Sequence, residues 1–212
     1  MKLERVSLSK RLYEQLKKDI VECRIEFGEK LINRELQQKY GVSSTPVRDA
    51  INHLYLDGLV ENISNTGAKV VTFDLQFVLE VNEMLTLLCN AAVECSAVRA
   101  DRDEVCAQLE KALLKQQSAV LEEYYRCDFL FHKVFFDHCK NTQYQKNYSR
   151  YHVLFEMLAR RFHGFQEDNR KSSIKQHQEI LESYRAGDIA LAAQQMRAHF
   201  AHAERLFRQY MD

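Results

Sequence analysis

The sequence predicts a mainly α-helical protein with an N-terminal winged helix-turn-helix, which includes a small β-hairpin wing, and a C-terminal antiparallel all-helical bundle of about six helices. Four of the six glycines and the single proline lie before residue 68, so this part has short elements and frequent turns. The remaining chain shows apolar stripes at helical spacing and no sustained strand alternation. We place the domain boundary near Thr72–Asp74, which gives domains 1–73 and 74–212.

The N-terminal part is predicted to contain three helices followed by a hairpin. The expected helices are 9–23, capped by Ser9; 33–39, capped by Asn33 and ended by Gly41; and one that runs from Ser43-Ser44-Thr45 to Gly58. Two β-like runs, 59–63 and 68–72, flank a turn at 64–67 whose residue types suit a hairpin. This order of elements is typical of a winged helix-turn-helix.

Polar residues at the start of the third helix are candidates for DNA contact. The net charge is zero, so any attraction to DNA must come from a local patch. A recognition helix presents donors from its N-terminal end. The candidates are Ser43, Ser44, Thr45 and Arg48, with Arg34 on the preceding helix and Thr66, Gly67 and Lys69 in the wing. Each arginine alone is more typical of a solvated surface charge, and a small α+β domain without DNA contact stays open on the pattern alone.

The C-terminal part is predicted to form six helices. Their expected ranges are 74–100, 102–118, 121–139, 142–163, 168–186 and 188–210. Asp74, Asp101, Asn141 and Asp188 stand where helix-starting residues are expected. Short connections between such helices favour an antiparallel bundle.

Four polar residues interrupt the apolar stripes of this predicted bundle. Asp128 and His132 are four residues apart and share one helix face, while His177 and His199 lie on the apolar stripes of two other helices. Burying these groups without partners is costly, and one divalent ion would satisfy all four. Such a set suits Zn, Ni, Mn or Fe(II). Each histidine alone is more often a hydrogen-bonded core residue, and helical spacing does not establish that the three faces meet.

The N-terminal part also resembles a known family. The stretch that carries the likeness is LINRELQQKYGVSSTPVRDAINHLYLDGLVENISNTGAKV, which resembles the DNA-binding domain of GntR-family bacterial regulators. Arg34 and Arg48 match arginines that contact DNA in that family, so the resemblance implies the same role here. Ser44 stands where the family usually has a DNA-contacting arginine, which implies a different operator or a modest affinity.

The C-terminal part resembles the FCD effector domain of the FadR subgroup of that family. The segment Asp128-Phe-Leu-Phe-His132 and the 22-residue separation of His177 and His199 match its signature. The resemblance implies that these four residues hold a metal beside an effector pocket. Asn82 and Thr86 replace an arginine and a glutamate of the subgroup, so a carboxylate effector would need another partner. The candidates for effector contact are Asn82, Arg160 and Tyr184, with Arg161 and His163 as further possible replacements.

Together these observations predict a ligand-responsive, DNA-binding transcription regulator, with repression favoured over activation. We expect it to bind double-stranded DNA as a homodimer and to sense a small organic acid, a carboxylate. The alternatives are a metal-dependent enzyme that uses the Asp/His₃ site, and a helical scaffold with hydrogen-bonded histidines. The six cysteines form no CxxC pair, and there is neither an apolar leader nor an 18-residue apolar run, so a reduced cytoplasmic protein without membrane association is expected.

Overall fold

A computed structural model describes residues 7–162 and 167–211 of the chain. The chain divides into two compact units between Phe73 and Asp74. No helix in the described ranges combines the length and the apolar character needed to cross a bilayer.

The N-terminal unit contains three helices and a three-stranded antiparallel sheet. Its elements are α1 (Leu8–Val21), β1 (Lys30–Ile32), α2 (Asn33–Tyr40), α3 (Ser44–Leu56), β2 (Val60–Ser64) and β3 (Gly67–Val70), and the strand order is β1-β3-β2. α1 packs against α3, with Leu16 and Leu54 among the fully buried side chains. The predicted winged helix-turn-helix is therefore confirmed, with one more strand than expected.

Two predicted helix caps in this unit are wrong. Ser7, and not Ser9, caps α1, because its side chain accepts a hydrogen bond from the backbone N–H of Lys10. Asn33 is the first residue inside α2 rather than its cap. Its side-chain amide donates instead to the backbone oxygen of Asn65 at 2.9 Å, which ties α2 to the turn between β2 and β3.

Gly67 is required by strand pairing. It lies opposite Ile32 in the sheet, is buried and has a φ of +151°. A Cβ atom at this position would lie 1.9 Å from the backbone oxygen of Leu31. Gly67 was predicted as a DNA-contacting residue of the wing, but the close approach of β1 covers it and explains the glycine.

The C-terminal unit is a bundle of six helices in the described ranges. They are α4 (Leu75–Arg99), α5 (Arg102–Ser118), α6 (Leu121–His138), α7 (Thr142–Phe162), α8 (Glu167–Ala186) and α9 (Ile189–Met211). The expected starting residues are confirmed by their hydrogen bonds: Asp74, Asp101 and Asp188 each accept from a backbone N–H three residues later, and Asn141 accepts from those of residues 143 and 144.

The packing of this bundle determines where its polar residues meet. α4 packs against α6, α7 and α9, while α8 packs against α5 and α9. Large aromatic side chains fill the interior, with Phe131, Phe135, Tyr148, Tyr184 and Phe207 almost fully buried. The inner faces of α6, α8 and α9 lie close together as a result, and these faces carry the predicted metal ligands.

Candidate metal centre

The structure brings the four predicted ligands together inside the C-terminal bundle. α6 supplies Asp128 and His132, α8 supplies His177, and α9 supplies His199. One candidate ligand atom from each residue lies within 4.8 Å of the other three. The three histidines are buried, and the Asp128 side chain is 14 % exposed. Among the described residues, this group of one carboxylate and three imidazoles has the number and kind of ligand atoms that could hold a metal ion.

The distances among these atoms suit a single ion. The Nε2 atoms of His132 and His177 are 3.1 Å apart. Asp128 Oδ1 lies 3.8 Å from His177 Nε2, and its Oδ2 lies 4.0 Å from His132 Nε2. Two nitrogen ligands at roughly 2.1 Å from one ion are separated by about 3.0–3.4 Å in octahedral or tetrahedral geometry. The two imidazoles therefore already have the spacing of neighbouring ligands.

Two glutamines orient the imidazoles. Gln116, fully buried on α5, accepts a hydrogen bond from His177 Nδ1 at 2.7 Å and donates to Asp128 Oδ1 at 2.9 Å. Gln176 accepts from His199 Nδ1 at 2.8 Å. A proton on each Nδ1 leaves the lone pair on Nε2, which is the arrangement found in metal-binding histidines.

These glutamines are not among the residues predicted from the sequence. A usable signal existed for Gln116, because it continues the buried stripe of α5 formed by Val105, Leu109 and Leu113. No sequence pattern shows which ligand it contacts.

Burial controls the charge of the centre. Removal from water raises the pKa of Asp128 to about 7, although hydrogen bonds from Ser173 and Gln116 act in the opposite direction. The same loss of hydration lowers the pKa of His199 to about 4 and holds those of His132 and His177 well below their usual range. The imidazoles are consequently neutral near pH 7, which is the form that binds metals. His132 Nδ1 is buried and has no hydrogen-bond partner among the residues that the structure describes.

A cavity adjoins this centre between α6, α7, α8 and α9. Its empty space is about 560 Å³, counting the part that opens to solvent. Asp128 and His199 belong to its wall, so a ligand in the cavity would have direct access to an ion at the centre. His152 and His202 also line it. Burial lowers the pKa of His152 to about 3, so this ring is neutral as well.

The predicted effector residues lie outside this wall. The Tyr184 hydroxyl contacts Ser96 Oγ at 3.0 Å. Asn82 donates to the backbone oxygen of Phe200 at 3.2 Å and lines a different groove, together with Thr86 and Arg197. Tyr184 and Asn82 therefore lie away from the cavity beside the four ligands, and the buried Asn82 Oδ1 atom has no hydrogen-bond partner among the described residues.

Arg160 lies next to the cavity without lining it. Its guanidinium forms an ion pair with Glu156 at 2.7 Å and lies 4.7 Å from the centre of the Tyr125 ring. Both of those neighbours belong to the cavity wall. His163 lies outside the described residues. Arg170, which the sequence analysis did not name, is the arginine that lines the cavity.

The predicted DNA-contacting residues lie on the N-terminal unit. Ser43 precedes α3, and its hydroxyl makes no capping hydrogen bond. This residue is exposed, as are Ser44, Thr45, Arg48 and Arg34. Thr66 in the turn is exposed and its hydroxyl contacts Ser64 Oγ at 2.8 Å. Lys69 is half-buried and lies 3.6 Å from Glu61 across the sheet, so part of its charge is compensated.

Comparison with known proteins assigns both units to one kind of protein. Residues 8–70 match the profile described as bacterial regulatory proteins, gntR family, and residues 78–202 match that of the FCD domain. The chain belongs to the gntR family. As a GntR-family protein with an FCD domain, it is a DNA-binding transcription regulator and not an enzyme. The metal-dependent enzyme considered from the sequence is therefore excluded as its function.

Named relatives agree with this assignment. The chain is 28 % identical to the uncharacterized HTH-type transcriptional regulator YdhC of Bacillus subtilis. The alignment spans 196 residues and covers 90 % of this chain and 86 % of YdhC. The chain is also 28 % identical to the HTH-type transcriptional repressor RspR of Escherichia coli. This alignment spans 135 residues and covers 60 % of this chain and 57 % of RspR. The solved structure of E. coli McbR/YncC has the same fold, with a TM-score of 0.78 at 18 % identity over 98 % of this chain and 100 % of the other.

Proposed function

We propose that this GntR-family regulator is a repressor that binds its operator as a homodimer and senses a small organic acid through a metal held by Asp128, His132, His177 and His199. The observation that carries the proposal is the convergence of these four groups within 4.8 Å, next to a cavity that shares two of them. A cytoplasmic location fits this function.

The donor set supports a resident divalent ion. Neutral imidazoles and one carboxylate are ligands that Zn, Ni, Mn and Fe(II) accept. The hydrogen bonds from Gln116 and Gln176 hold His177 and His199 in the tautomer that such an ion needs. When bound, the ion supplies a positive charge that attracts a carboxylate oxygen. Asp128 and His199 hold the position from which that charge acts on the cavity.

The exposed residues at the start of α3 support the DNA-binding role. Arg48 lies one turn into this helix and lines a groove together with Asn52 and Asn65. In our proposal Arg34 and Arg48 contact the operator, and the hydroxyls of residues 43–45 contact bases or phosphates. In the wing, the Thr66 hydroxyl and the Lys69 ammonium are the groups that we propose contact DNA, whereas Gly67 is covered and allows β1 to approach the turn.

An exposed apolar stripe on α4 supports dimerisation. Phe77, Met84, Leu87 and Val98 recur at helical spacing and are between 36 % and 86 % exposed. Side chains of this kind along one helix are typical of a surface that a second copy covers. Regulators of this class commonly place two DNA-binding units on a near-palindromic operator by such pairing.

Repression fits a linkage mechanism. A ligand changes DNA affinity only as far as it binds the DNA-competent and DNA-released states differently. The 28 % identity to RspR, which is named a repressor, supports release of the operator by the effector as the direction of the response.

The test uses two variants of the full-length protein. An operator is selected from genomic fragments, and binding is followed by fluorescence anisotropy at several salt concentrations, while bound metal is measured by mass spectrometry. We expect Arg48→Ala to lose operator binding with its metal content unchanged. We expect His177→Ala to lose metal and effector response while its N-terminal unit stays folded. If both variants show the same phenotype, or the purified wild type holds no metal, the proposal is wrong.

A further inference from the structure

The cavity beside the metal centre has a mainly apolar wall. Asp128 and His199 form its polar end. The apolar part consists of aromatic and small aliphatic side chains: Tyr124, Tyr125, Phe155, Ala159, Ala203 and Leu206. Buried apolar surface favours an occupant with an apolar body, because transferring such a body out of water is favourable. A sugar acid or a short polycarboxylate would leave its hydroxyls or charges facing these rings.

Three residues of this wall carry buried polar atoms that have no hydrogen-bond partner in the described ranges. These atoms are the Tyr125 hydroxyl, Arg170 Nε and His202 Nε2. Arg170 Nε can only donate. His202 Nδ1 accepts from the Arg205 guanidinium at 3.5 Å, so the neutral ring carries its proton on Nε2, which also donates. All three groups can therefore donate to an oxygen atom of an occupant.

These donors lie on the same helices as the metal centre. Tyr125 precedes Asp128 by three residues on α6, and His202 follows His199 by three residues on α9. Arg170 precedes Ser173, which contacts Asp128 Oδ1 at 3.3 Å, by three residues on α8. Asp128, His199 and the three donor residues all belong to the wall of one cavity, so a single occupant can reach both groups.

The charges around the cavity limit the charge of the occupant. Glu156 in the wall is paired with Arg160, and Asp128 contributes a second carboxylate. Arg170 donates to the backbone oxygen of Ala119 at 3.1 Å and lies 4.8 Å from the centre of the Tyr124 ring. With a divalent ion in place, the charges of the ion (+2), Arg170 (+1) and Asp128 (−1) sum to +2, so a tricarboxylate would bring more negative charge than these groups balance. The apolar part of the wall favours the occupant with the fewest charges, because a buried charge without a partner is costly.

We propose that the effector is an aromatic hydroxy-monocarboxylic acid, with its carboxylate at the Asp128 and His199 end and its hydroxyl at Tyr125, Arg170 and His202. This inference rests on the proposed function, because it assumes that the cavity is the effector site. It adds the chemical class of the ligand and identifies Tyr125 as a residue that recognises the hydroxyl.

The experiment compares four acids on metal-loaded full-length protein by isothermal titration calorimetry: 4-hydroxybenzoate, benzoate, citrate and gluconate. We expect 4-hydroxybenzoate to bind with a Kd about five- to tenfold lower than that of benzoate, and at least tenfold lower than those of citrate and gluconate. Tyr125→Phe keeps the ring and removes only the unpartnered hydroxyl. It should raise the Kd of 4-hydroxybenzoate about threefold, because Arg170 and His202 still donate to the hydroxyl, and leave the Kd of benzoate within twofold.

Tyr124→Phe is the matched control, because the Tyr124 hydroxyl already donates to the backbone oxygen of Arg170 at 3.4 Å. This variant should keep the preference for 4-hydroxybenzoate. Tighter binding of citrate or gluconate overturns the inference, as does an equal effect of Tyr125→Phe on both aromatic acids. Either result leaves the proposed function standing if the protein holds metal and an acid releases the operator. Absence of metal, or of any acid response, overturns both.

Discussion

Replacing Gln116 by methionine tests whether the metal centre depends on the residue that joins two of its ligands. Methionine has a similar length and shape and makes no strong hydrogen bond. The change removes the acceptor 2.7 Å from His177 Nδ1 and the donor 2.9 Å from Asp128 Oδ1. Because Gln116 is fully buried, water does not replace either bond.

The size of the effect follows from these two bonds. A buried donor that loses its acceptor costs about 1–3 kcal/mol, and the loss of a donor to a carboxylate adds a similar amount, partly offset by the apolar replacement. We therefore expect the free energy of unfolding to fall by about 2–4 kcal/mol. For a domain of this size, that corresponds to a Tm lower by roughly 6–12 °C. Metal affinity should fall about 10- to 100-fold, the usual effect of removing a residue that orients a ligand.

The assay combines thermal unfolding with a competition titration of metal against a chelating dye. Gln117→Met is the control, because the neighbouring Gln117 is exposed and should tolerate the change in both measurements. Gln116→Glu separates the two roles of the residue: its carboxylate still accepts from His177 but also lies against the carboxylate of Asp128. This variant should lose affinity through repulsion while His177 keeps its acceptor.

A folded Gln116→Met protein with metal affinity within threefold of the wild type would refute the reasoning. It would mean that the position of His177 depends on packing and not on the hydrogen bond. Phe131, whose ring stacks on His177 with centroids 4.1 Å apart, is the contact that would then hold it.

Three further predictions concern pH, assembly and the wing. Burial raises the pKa of Asp128 to about 7, so below that pH a proton competes with the metal for its carboxylate. Metal affinity should therefore rise about tenfold from pH 6 to pH 8. A metal affinity that does not change with pH in the dye titration would contradict this. Leu87→Glu should give monomers in sedimentation velocity, whereas Leu114→Glu, at an equally exposed leucine on α5, should not. Gly67→Ala should lower the free energy of unfolding by at least about 2 kcal/mol, because the added Cβ atom would clash with the Leu31 backbone. Gly41→Ala is the control: no atom lies near its added Cβ, so it should lower the free energy of unfolding by about 1 kcal/mol. Equal effects of the two substitutions would argue against the close approach of β1 to Gly67.

Local chemistry made much of this fold predictable from the sequence. The helix starts at Asp74, Asp101 and Asp188 depend on a side chain and a backbone N–H three residues away, so the pattern and the structure agree. Strand β1 could not be predicted, because its three residues do not alternate between polar and apolar types in the sequence. The strand is defined instead by its pairing with β3. The cap assigned to Asn33 was wrong for a related reason, since its side chain contacts a distant turn.

The candidate site likewise has residues whose arrangement follows from local sequence and residues whose arrangement depends on distant contacts. The shared face of Asp128 and His132 follows from helical spacing, whereas the approach of His177 and His199 required the resemblance to the FCD domain. The effector contacts depend on which hydrogen bonds are already made. Tyr184 has its partner in Ser96, and Arg160 has its partner in Glu156. The cavity wall includes Tyr125, Arg170 and His202, each of which has a buried polar atom without a hydrogen-bond partner in the described ranges, and a sequence does not show which atoms those are.

A response to an effector requires that the acid and the operator influence each other equally. Suppose that the acid changes the ratio of bound to free operator from about 10:1 to about 1:10. The acid must then bind the two states of the protein with affinities that differ about a hundredfold, or by about 2.7 kcal/mol. The operator must then weaken binding of the acid by the same factor. We therefore expect the Kd of a bound aromatic acid to rise about a hundredfold when saturating operator is added, measured by calorimetry on the protein–DNA complex. An acid whose Kd does not change with operator present could not act through linkage, however tightly it fills the cavity beside Asp128 and His199.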